Sequence, residues 1–547
     1  MTKVSRPTRR MARSYGPILA AAVAFVVMAV AVPVAGRERQ EFAGNVTVPN
    51  VGVGNDGGTA GGTGGPDGTG GPGTTGGTGG TGGTGGASGA VGACTDRTRQ
   101  VPGDPYSPPC YAFSGDNGGA THKGVTATSI KVAVRTLDSP SAAELFASIS
   151  GQSVSDSVTA YEDTMRALAE YFNTRFQFYG RKLELVFFRG TGNGTNELLG
   201  GGKEAALADA TRSAQEIGAF ADVSGITIPY ADALAQKGVV NIGSPYPSQR
   251  WFEDRAPYSW SLFPDGTNVV RSAAASLFGR LPIQSNAEWG GPSVNGKPRR
   301  YAIVAPENAE YQESAAVFRD LFVKQGYPMA TYLKYKLDLN SMPNQASNLV
   351  AQLKDAGVTS VICACDPVML ALGLAPKSLE QGFEPEWLTA GLAFVEQDIV
   401  GQLIDPRQWQ HAFGIAYNAE SEPLGASFPY AAFKQIRPKD EPAFGVEELY
   451  YQMYLLAIGV QMAGPDLNPA TYQAGMYAYP GGSGPRGLWG FGPGDHTPTD
   501  DYREIWWDAD RISPQNNQPG AWVQLGGGRR YTPDAAPKGP APYFQEG

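Results

Sequence analysis

The sequence predicts the α/β class, with two Rossmann-like lobes, each doubly wound, and a hinged cleft between them. Short apolar runs stopped by Gly alternate with helical spacing from about residue 124 onward, the pattern of parallel strands whose two faces are both covered. A loop of Gly, Pro and Asn over 282–298 interrupts the alternation, after which it restarts for a similar length. Within 219–248 two neighbouring strands end at one sheet edge, each releasing a loop of Ser, Gly and Tyr. Ligands of open α/β sheets bind at that edge, where free backbone N–H groups and short hydroxyls converge.

The chain of 547 residues opens with Lys3, Arg6, Arg9, Arg10 and Arg13, followed by an uncharged apolar run over 18–35. A helix of that length spans about 27 Å, close to the hydrocarbon thickness of a bilayer. Residues 1–36 are therefore expected to direct the rest of the chain out of the cytoplasm, as a cleaved signal peptide or as an N-terminal membrane anchor. Residues 37–93 turn to Gly- and Thr-rich repeats almost without large apolar side chains, so nothing there offsets the entropy of ordering. A flexible tether of this length has a root-mean-square span on the order of 40 Å. Cys94 and Cys110 flank a Pro-rich stretch in the segment 94–123 and, in an exported chain, are expected to form a disulfide. Cys363 and Cys365, two apart on one face of a strand, read as core thiols.

Lobe 1 (124–296) begins with a buried strand over 130–134 and a helix over 155–176 whose Val158, Met165, Leu168, Ala169 and Phe172 share a face. A strand over 183–188, a helix over 203–217, a strand ending at Ser224 and Gly225, a helix over 230–236, a strand over 239–242 and a helix over 268–281 come next. Lobe 2 (297–420) repeats the alternation, with strands over 301–305, 331–335, 360–364 and 387–389 and helices over 311–325, 345–356 and 368–381. A strongly apolar helix over 446–462 is expected to return the chain to lobe 1 within 421–475. The tail, 476–547, then brings Ile505, Trp506 and Trp507 back to lobe 2 as a strand.

Composition removes several classes of function. The formal net charge is −9, and no dense Lys/Arg stripe occurs beyond the first fifteen residues, so the basic footprint that nucleic acid requires is missing. Only three histidines occur (His122, His411, His496), little material for a metal site or a nucleophilic triad. The GTGNG run at 190–194 falls short of a dinucleotide fingerprint, GGGKE at 200–204 lacks the Ser/Thr of a phosphate loop, and no GxSxG elbow is present. No catalytic residue, metal or cofactor is expected, and the chain does not read as an enzyme.

Four stretches carry a family resemblance: GVTATSIKVA from Gly124, YGRKLELV from Tyr179, KGVVNIGSP from Lys237 and WDADRI from Trp507. Together they resemble the type I periplasmic binding proteins of the branched-chain amino acid (Leu/Ile/Val) group, over roughly 124–531. The resemblance implies a receptor of two lobes joined by three crossings, closing on a small solute and delivering it to an ABC permease in the membrane. By position it also implies that Ser224 and Gly225 bind the solute carboxylate, with Ser244, Tyr246 and Ser248 in the adjoining Ser/Thr loop. Tyr311 and Asp366 would be contacts from lobe 2. The sequence departs from the group near residues 389–392, where amino-acid binders carry an acid for the ammonium; Asp366 or Glu396 would have to take its place.

Each candidate also has a plainer reading. Ser224, Ser244 and Ser248, with the N–H groups beside Gly225, supply the charge-assisted donors a carboxylate needs, at about 1.5–3 kcal/mol each; serines at strand ends equally cap the next helix. Tyr230, Tyr246 and Tyr311 either stack on a solute or fill a half-buried surface. Asp366 is a contact or a helix cap. Arg135 meets an anionic solute or pairs with Asp138. The leading expectation is an extracytoplasmic, exported solute-binding protein, tethered to the cell membrane or secreted; a ligand-sensing ectodomain without transport and an exported α/β hydrolase are the alternatives.

Overall fold

The computed structural model describes residues 94, 98–137, 158–338, 340–423 and 425–545. The apolar run at 18–35, the repeats at 37–93 and Asp138 lie outside the described residues. Among the described residues no helix is long and apolar enough to cross a membrane.

In the first lobe β1 (Ser129–Thr136), β2 (Lys182–Arg189), β3 (Ala221–Gly225), β4 (Val240–Gly243) and β5 (Ser259–Trp260) form a parallel sheet in the order β2-β1-β3-β4-β5. The helix Val158–Arg175 buries Met165, Leu168 and Phe172, the face its spacing predicts. The helix Val446–Ala463 is apolar all round because it is enclosed all round: it packs on Val158–Arg175 and on β3 and β4, with Tyr450 and Tyr454 against Phe172. β3 and β4 come so close at their ends that a Cβ on Gly243 would lie 2.2 Å from the Gly225 carbonyl oxygen, so only glycine lets the two exit loops touch.

The second lobe contains β6 (Tyr301–Pro306), β7 (Met329–Tyr335), β8 (Ser360–Cys363), β9 (Glu386–Thr389) and β10 (Ala412–Ala416), all parallel. After a hairpin of β11 (Gly482–Gly484) and β12 (Gly487–Trp489), three antiparallel strands complete its edge: β13 (Tyr502–Ile512), β14 (Pro519–Gln524) and β15 (Arg530–Tyr531). The order is β14-β13-β10-β9-β8-β6-β7, with β15 on β13. Ile505 and Trp507 enter one core beside Trp522, while Trp506 turns to the other, the two-residue alternation of a strand covered on both faces.

The chain passes between the lobes three times. The helix Gly266–Arg280 packs on the helix Ala309–Lys324 and on β10, with Phe278 against Phe322 and the Ser276 hydroxyl donating to Glu504 at 2.8 Å. The first crossing therefore precedes that helix and lies at 261–265, ahead of the Gly/Pro loop at 282–298 that the composition suggested. The second comes after β10. The third, over 479–501, carries the hairpin β11–β12.

The segment from Cys94 forms a strap over this third crossing. Cys94 and Cys110 are joined by a disulfide. Tyr106, 2% exposed, stacks on Trp489 with ring centroids 4.3 Å apart, and Asp104 accepts a hydrogen bond from the Tyr454 hydroxyl at 2.6 Å. Cys363 and Cys365 both lie in the core of the second lobe, as their spacing predicts, with alternate residues at the end of β8 pointing to the same side.

Candidate functional site

Two loops with unusual backbone meet between the lobes. Ser244 (φ 39°) and Tyr246 (φ 68°) lie just after β4, and Ala393 (φ 54°) and Phe394 (φ 64°) just after β9. Left-handed conformations at non-glycine residues cost on the order of 1 kcal/mol or more each and persist where surrounding packing holds them, often at ligand sites. Here Phe263 provides the packing, 5.6 Å from the Tyr246 ring and 5.3 Å, edge to face, from Phe394. Burial, together with the nearby Glu396 carboxylate, pushes the Tyr246 phenol well above its ordinary value, and the Ala393 backbone hydrogen-bonds it.

Behind these loops lies a charged cluster that draws on both lobes and a crossing. Glu396 is 4% exposed; its Oε1 accepts from Asn418 Nδ2 at 2.7 Å, while its Oε2 is buried without a partner among the described residues. Burial raises its pKa to about 7. Asn418 in turn accepts from Arg486 Nη2 at 3.1 Å, and the Arg486 guanidinium lies 4.6 Å over the Tyr451 ring. Glu448, in the first turn of the helix Val446–Ala463, is also raised to about 7, by burial first and then by Glu447, against the pull of Arg486. Sequence reasoning finds Tyr246 and Glu396 but misses Arg486, Asn418, Tyr451 and Glu448. The one available signal is a lone arginine in the uncharged Gly- and Pro-rich run that forms the hairpin turn.

The other candidates are engaged by the fold. Ser224 Oγ donates to Asp222 Oδ1 at 2.6 Å and accepts from the Arg135 backbone N–H at 2.8 Å. Ser244 donates from both its N–H and its hydroxyl to the carbonyl of Gly225, at 2.9 and 3.3 Å. Ser248 caps the helix Gln249–Glu253 by accepting from Trp251 N–H at 3.2 Å, and reaches across the lobes to donate to Glu313 at 2.7 Å. Its N–H donates to the Glu310 carbonyl at 3.3 Å, which seats it against the helix that carries Tyr311. Tyr311, half-buried, is raised by burial and by the Glu310 and Asp366 carboxylates. Asp366 accepts from the N–H groups of Val368 and Met369 at 2.9 Å and from the Tyr335 hydroxyl at 2.6 Å, so it caps a helix start. Arg135 is bound to Glu197 at 2.6 Å and Asp209 at 3.2 Å, with Tyr230 beneath it at 3.6 Å. Thus Ser224, Gly225 and Ser244 come together, Ser248 joins the Tyr311 helix, and Tyr246 faces Glu396.

Two cavities flank this arrangement. One of about 520 Å³ opens between the lobes beside Ser248, lined by Lys203, Trp251, Arg255, Glu310 and Glu313 among others. One of about 660 Å³ lies at the carboxyl end of the chain between Arg280, Asp501 and Arg530, and there the arginines are paired with Glu504 and Asp501. Among the described residues no group of three His, Cys, Asp or Glu side chains is placed to hold a metal ion.

The sequence model of a family described as periplasmic binding protein matches residues 145–511. No curated protein sequence matches the chain. Solved structures share its fold. An ABC transporter solute-binding protein from R. palustris in complex with 4-hydroxybenzoate is 13% identical, covering 74% of this chain and 97% of that one, with a TM-score of 0.52. A leucine-, isoleucine-, valine-, threonine- and alanine-binding protein from Brucella ovis, in a closed conformation, is 12% identical over 75% of this chain and 98% of its own, with a TM-score of 0.52. An ABC transporter substrate-binding protein from Aeropyrum pernix is 13% identical over 74% and 96%, with a TM-score of 0.51.

Proposed function

The chain belongs to the periplasmic binding protein family, whose members work outside the cytoplasm, and from that premise we propose that it is the solute-binding component of an ABC importer. It takes a small amino-acid-like or carboxylate solute between its lobes and hands it to a permease, while the amino-terminal segment holds it at the membrane. The chain binds and releases; no chemistry on the solute is assigned to it. Fold relatives that hold 4-hydroxybenzoate or bind leucine and related amino acids support this choice of solute class.

The observation that carries the reading is the Glu396–Asn418–Arg486 line where the lobes meet. Among the described residues Glu396 keeps one buried oxygen unpartnered, and burying such a group unsatisfied costs about 1–3 kcal/mol. A solute ammonium at that oxygen removes the penalty, and Glu396 thereby takes the role of the acid that is missing near 389–392. Closure then results from differential contact: a solute touching Tyr246 on one lobe and Glu396 on the other stabilises the closed arrangement over the open one.

The test is a thermal-shift screen of the full chain against amino acids, their amides, short carboxylates and aromatic acids. A solute at one hundred times its Kd stabilises the folded state by about 2.7 kcal/mol. A screen in which no compound raises the melting temperature would count against solute binding.

A further inference from the structure

In an α/β binding fold, the natural receptor for an anion is the set of N–H and hydroxyl donors at the strand ends. Here the two serines of that set are occupied. The Ser224 hydroxyl and N–H both donate to Asp222, and the Ser244 hydroxyl and N–H both donate to the Gly225 carbonyl. The same edge holds the Asp222 carboxylate, which repels an anion.

The buried arginines of the described residues are Arg135, Arg181, Arg299, Arg486 and Arg503. Arg135 and Arg299 form close ion pairs with Glu197 and Glu386, at 2.6 and 2.9 Å; Arg503 donates to the Ala419 carbonyl at 2.7 Å and lies 4.0 Å from Glu420, while its Nε is buried without a partner among the described residues. Arg181 donates to backbone carbonyls of Thr126, Pro465, Asn117 and Gly119. Among the described residues Arg486 has one side-chain hydrogen bond, to Asn418, although a guanidinium carries five N–H donors. It is 9% exposed and sits between groups contributed by both lobes.

Its placement comes from outside either sheet. Arg486 occupies the turn of the β11–β12 hairpin, where Gly484 pairs with Gly487. Its backbone N–H donates to the Tyr106 hydroxyl at 2.8 Å, and that hydroxyl donates to the Gly487 carbonyl at 3.0 Å, so one side chain holds the turn on both sides of the arginine. A Cβ on Gly482 would lie 2.2 Å from the Pro105 carbonyl oxygen, which leaves no room between strap and hairpin.

We propose that Arg486 receives the anionic group of the solute and that Tyr106, on the amino-terminal strap, positions it; this rests on the reading of the chain as a solute-binding protein. Arg486 takes the anionic end in a forked contact, and Glu396, linked to it through Asn418, takes a cationic end where the solute has one. A contact otherwise made by lobe 1 is thereby moved to the third crossing.

The experiment measures binding to the full chain, by thermal shift and calorimetry, of four probes in acid and amide pairs: L-leucine with L-leucinamide, and benzoate with benzamide. An acid is expected to bind and its amide to bind at least about tenfold more weakly. Arg486→Gln should lose the acid by tenfold or more, and Arg486→Lys, which keeps charge but not the fork, should recover part of it. Tyr106→Phe, which keeps the buried ring, should weaken the acid about threefold to tenfold, and should add nothing in the Arg486→Gln background. Acid binding unchanged in Arg486→Gln, or a Tyr106→Phe effect that persists without Arg486, overturns the proposal. If the glutamine variant does not fold, the lysine variant decides: full parental affinity there refutes the fork. A probe that binds equally as acid and amide refutes the anion contact and leaves solute binding standing, whereas no binding by any probe counts against both.

Discussion

At the scale of single residues, Glu396 is where stability and binding pull in opposite directions. A glutamate ordinarily titrates near 4.5, and burial raises this one to about 7. The folded state therefore binds its proton more tightly than the unfolded chain does. Its contribution to stability is fully present below about 4.5 and is lost as the pH rises through about 7. Glu396→Gln is expected to melt at a higher temperature than the parent at pH 8 and near the parent at pH 4, while losing affinity for solutes with an ammonium group. Calorimetry at the two pH values checks the first part, and a variant that melts lower at pH 8 would refute it. Ser224 shows the reverse case. Ser224→Ala removes a donor from the buried Asp222 and an acceptor from the Arg135 backbone, so a stability loss of about 1–3 kcal/mol is expected in chemical denaturation, beyond any effect on solute. The sequence made Ser224 legible as a strand-end hydroxyl. It did not show that Asp222, two residues earlier and on the same side of the strand, would claim it.

At the scale of elements, the strands that could be read were the short apolar runs with Gly stops, such as β1, β3, β6 and β8. β10 escaped because Gly414 interrupts its pattern. That glycine is there for a close approach: a Cβ would lie 2.1 Å from the Thr389 carbonyl oxygen of β9. Two helices read as continuous carry π-helical turns, at Arg212–Ile217 and Met369–Leu374, which spacing alone does not distinguish from α-helix. The third crossing was the least legible element, since Gly and Pro carry no periodicity, yet it bears Arg486 and two raised carboxylates. Burial and then Asp500 push Asp495 to about 8, and burial and then Asp501 push Asp500 to about 7, from an ordinary 3.8. Their protonated forms are favoured by folding, so their contribution is present below about 3.8 and lost as the pH climbs through 7 to 8. Asp495→Asn with Asp500→Asn should raise the melting temperature at pH 8.5 and change it little near pH 4. Equal shifts at both pH values would exclude this origin.

At the scale of the whole molecule, a parallel sheet and a mixed one are joined by three crossings, and the strap that begins at Cys94 is tied to the last of them. The lobes were legible because each repeats one alternation of strand and helix. The position of the first crossing was not, because the helix Gly266–Arg280 looks the same whichever lobe it covers. Cys94 and Cys110 are separated by 16 positions, and closing a loop of that size stabilises by about 3 kcal/mol through restriction of the unfolded chain. Cys94→Ser with Cys110→Ser is therefore expected to lower the denaturation midpoint, and to weaken acidic solutes as Tyr106→Phe does. A double variant that melts like the parent would show that the strap holds without its bond.

That clasp also settles where a mechanical load would go. The bond carries a pull on Cys94 directly to Cys110, so Asp104 and Tyr106, which grip the helix Val446–Ala463 and the hairpin turn from within the closed loop, are shielded from it. Stretching the amino-terminal side should thus leave the turn that Tyr106 holds undisturbed until the bond is reduced.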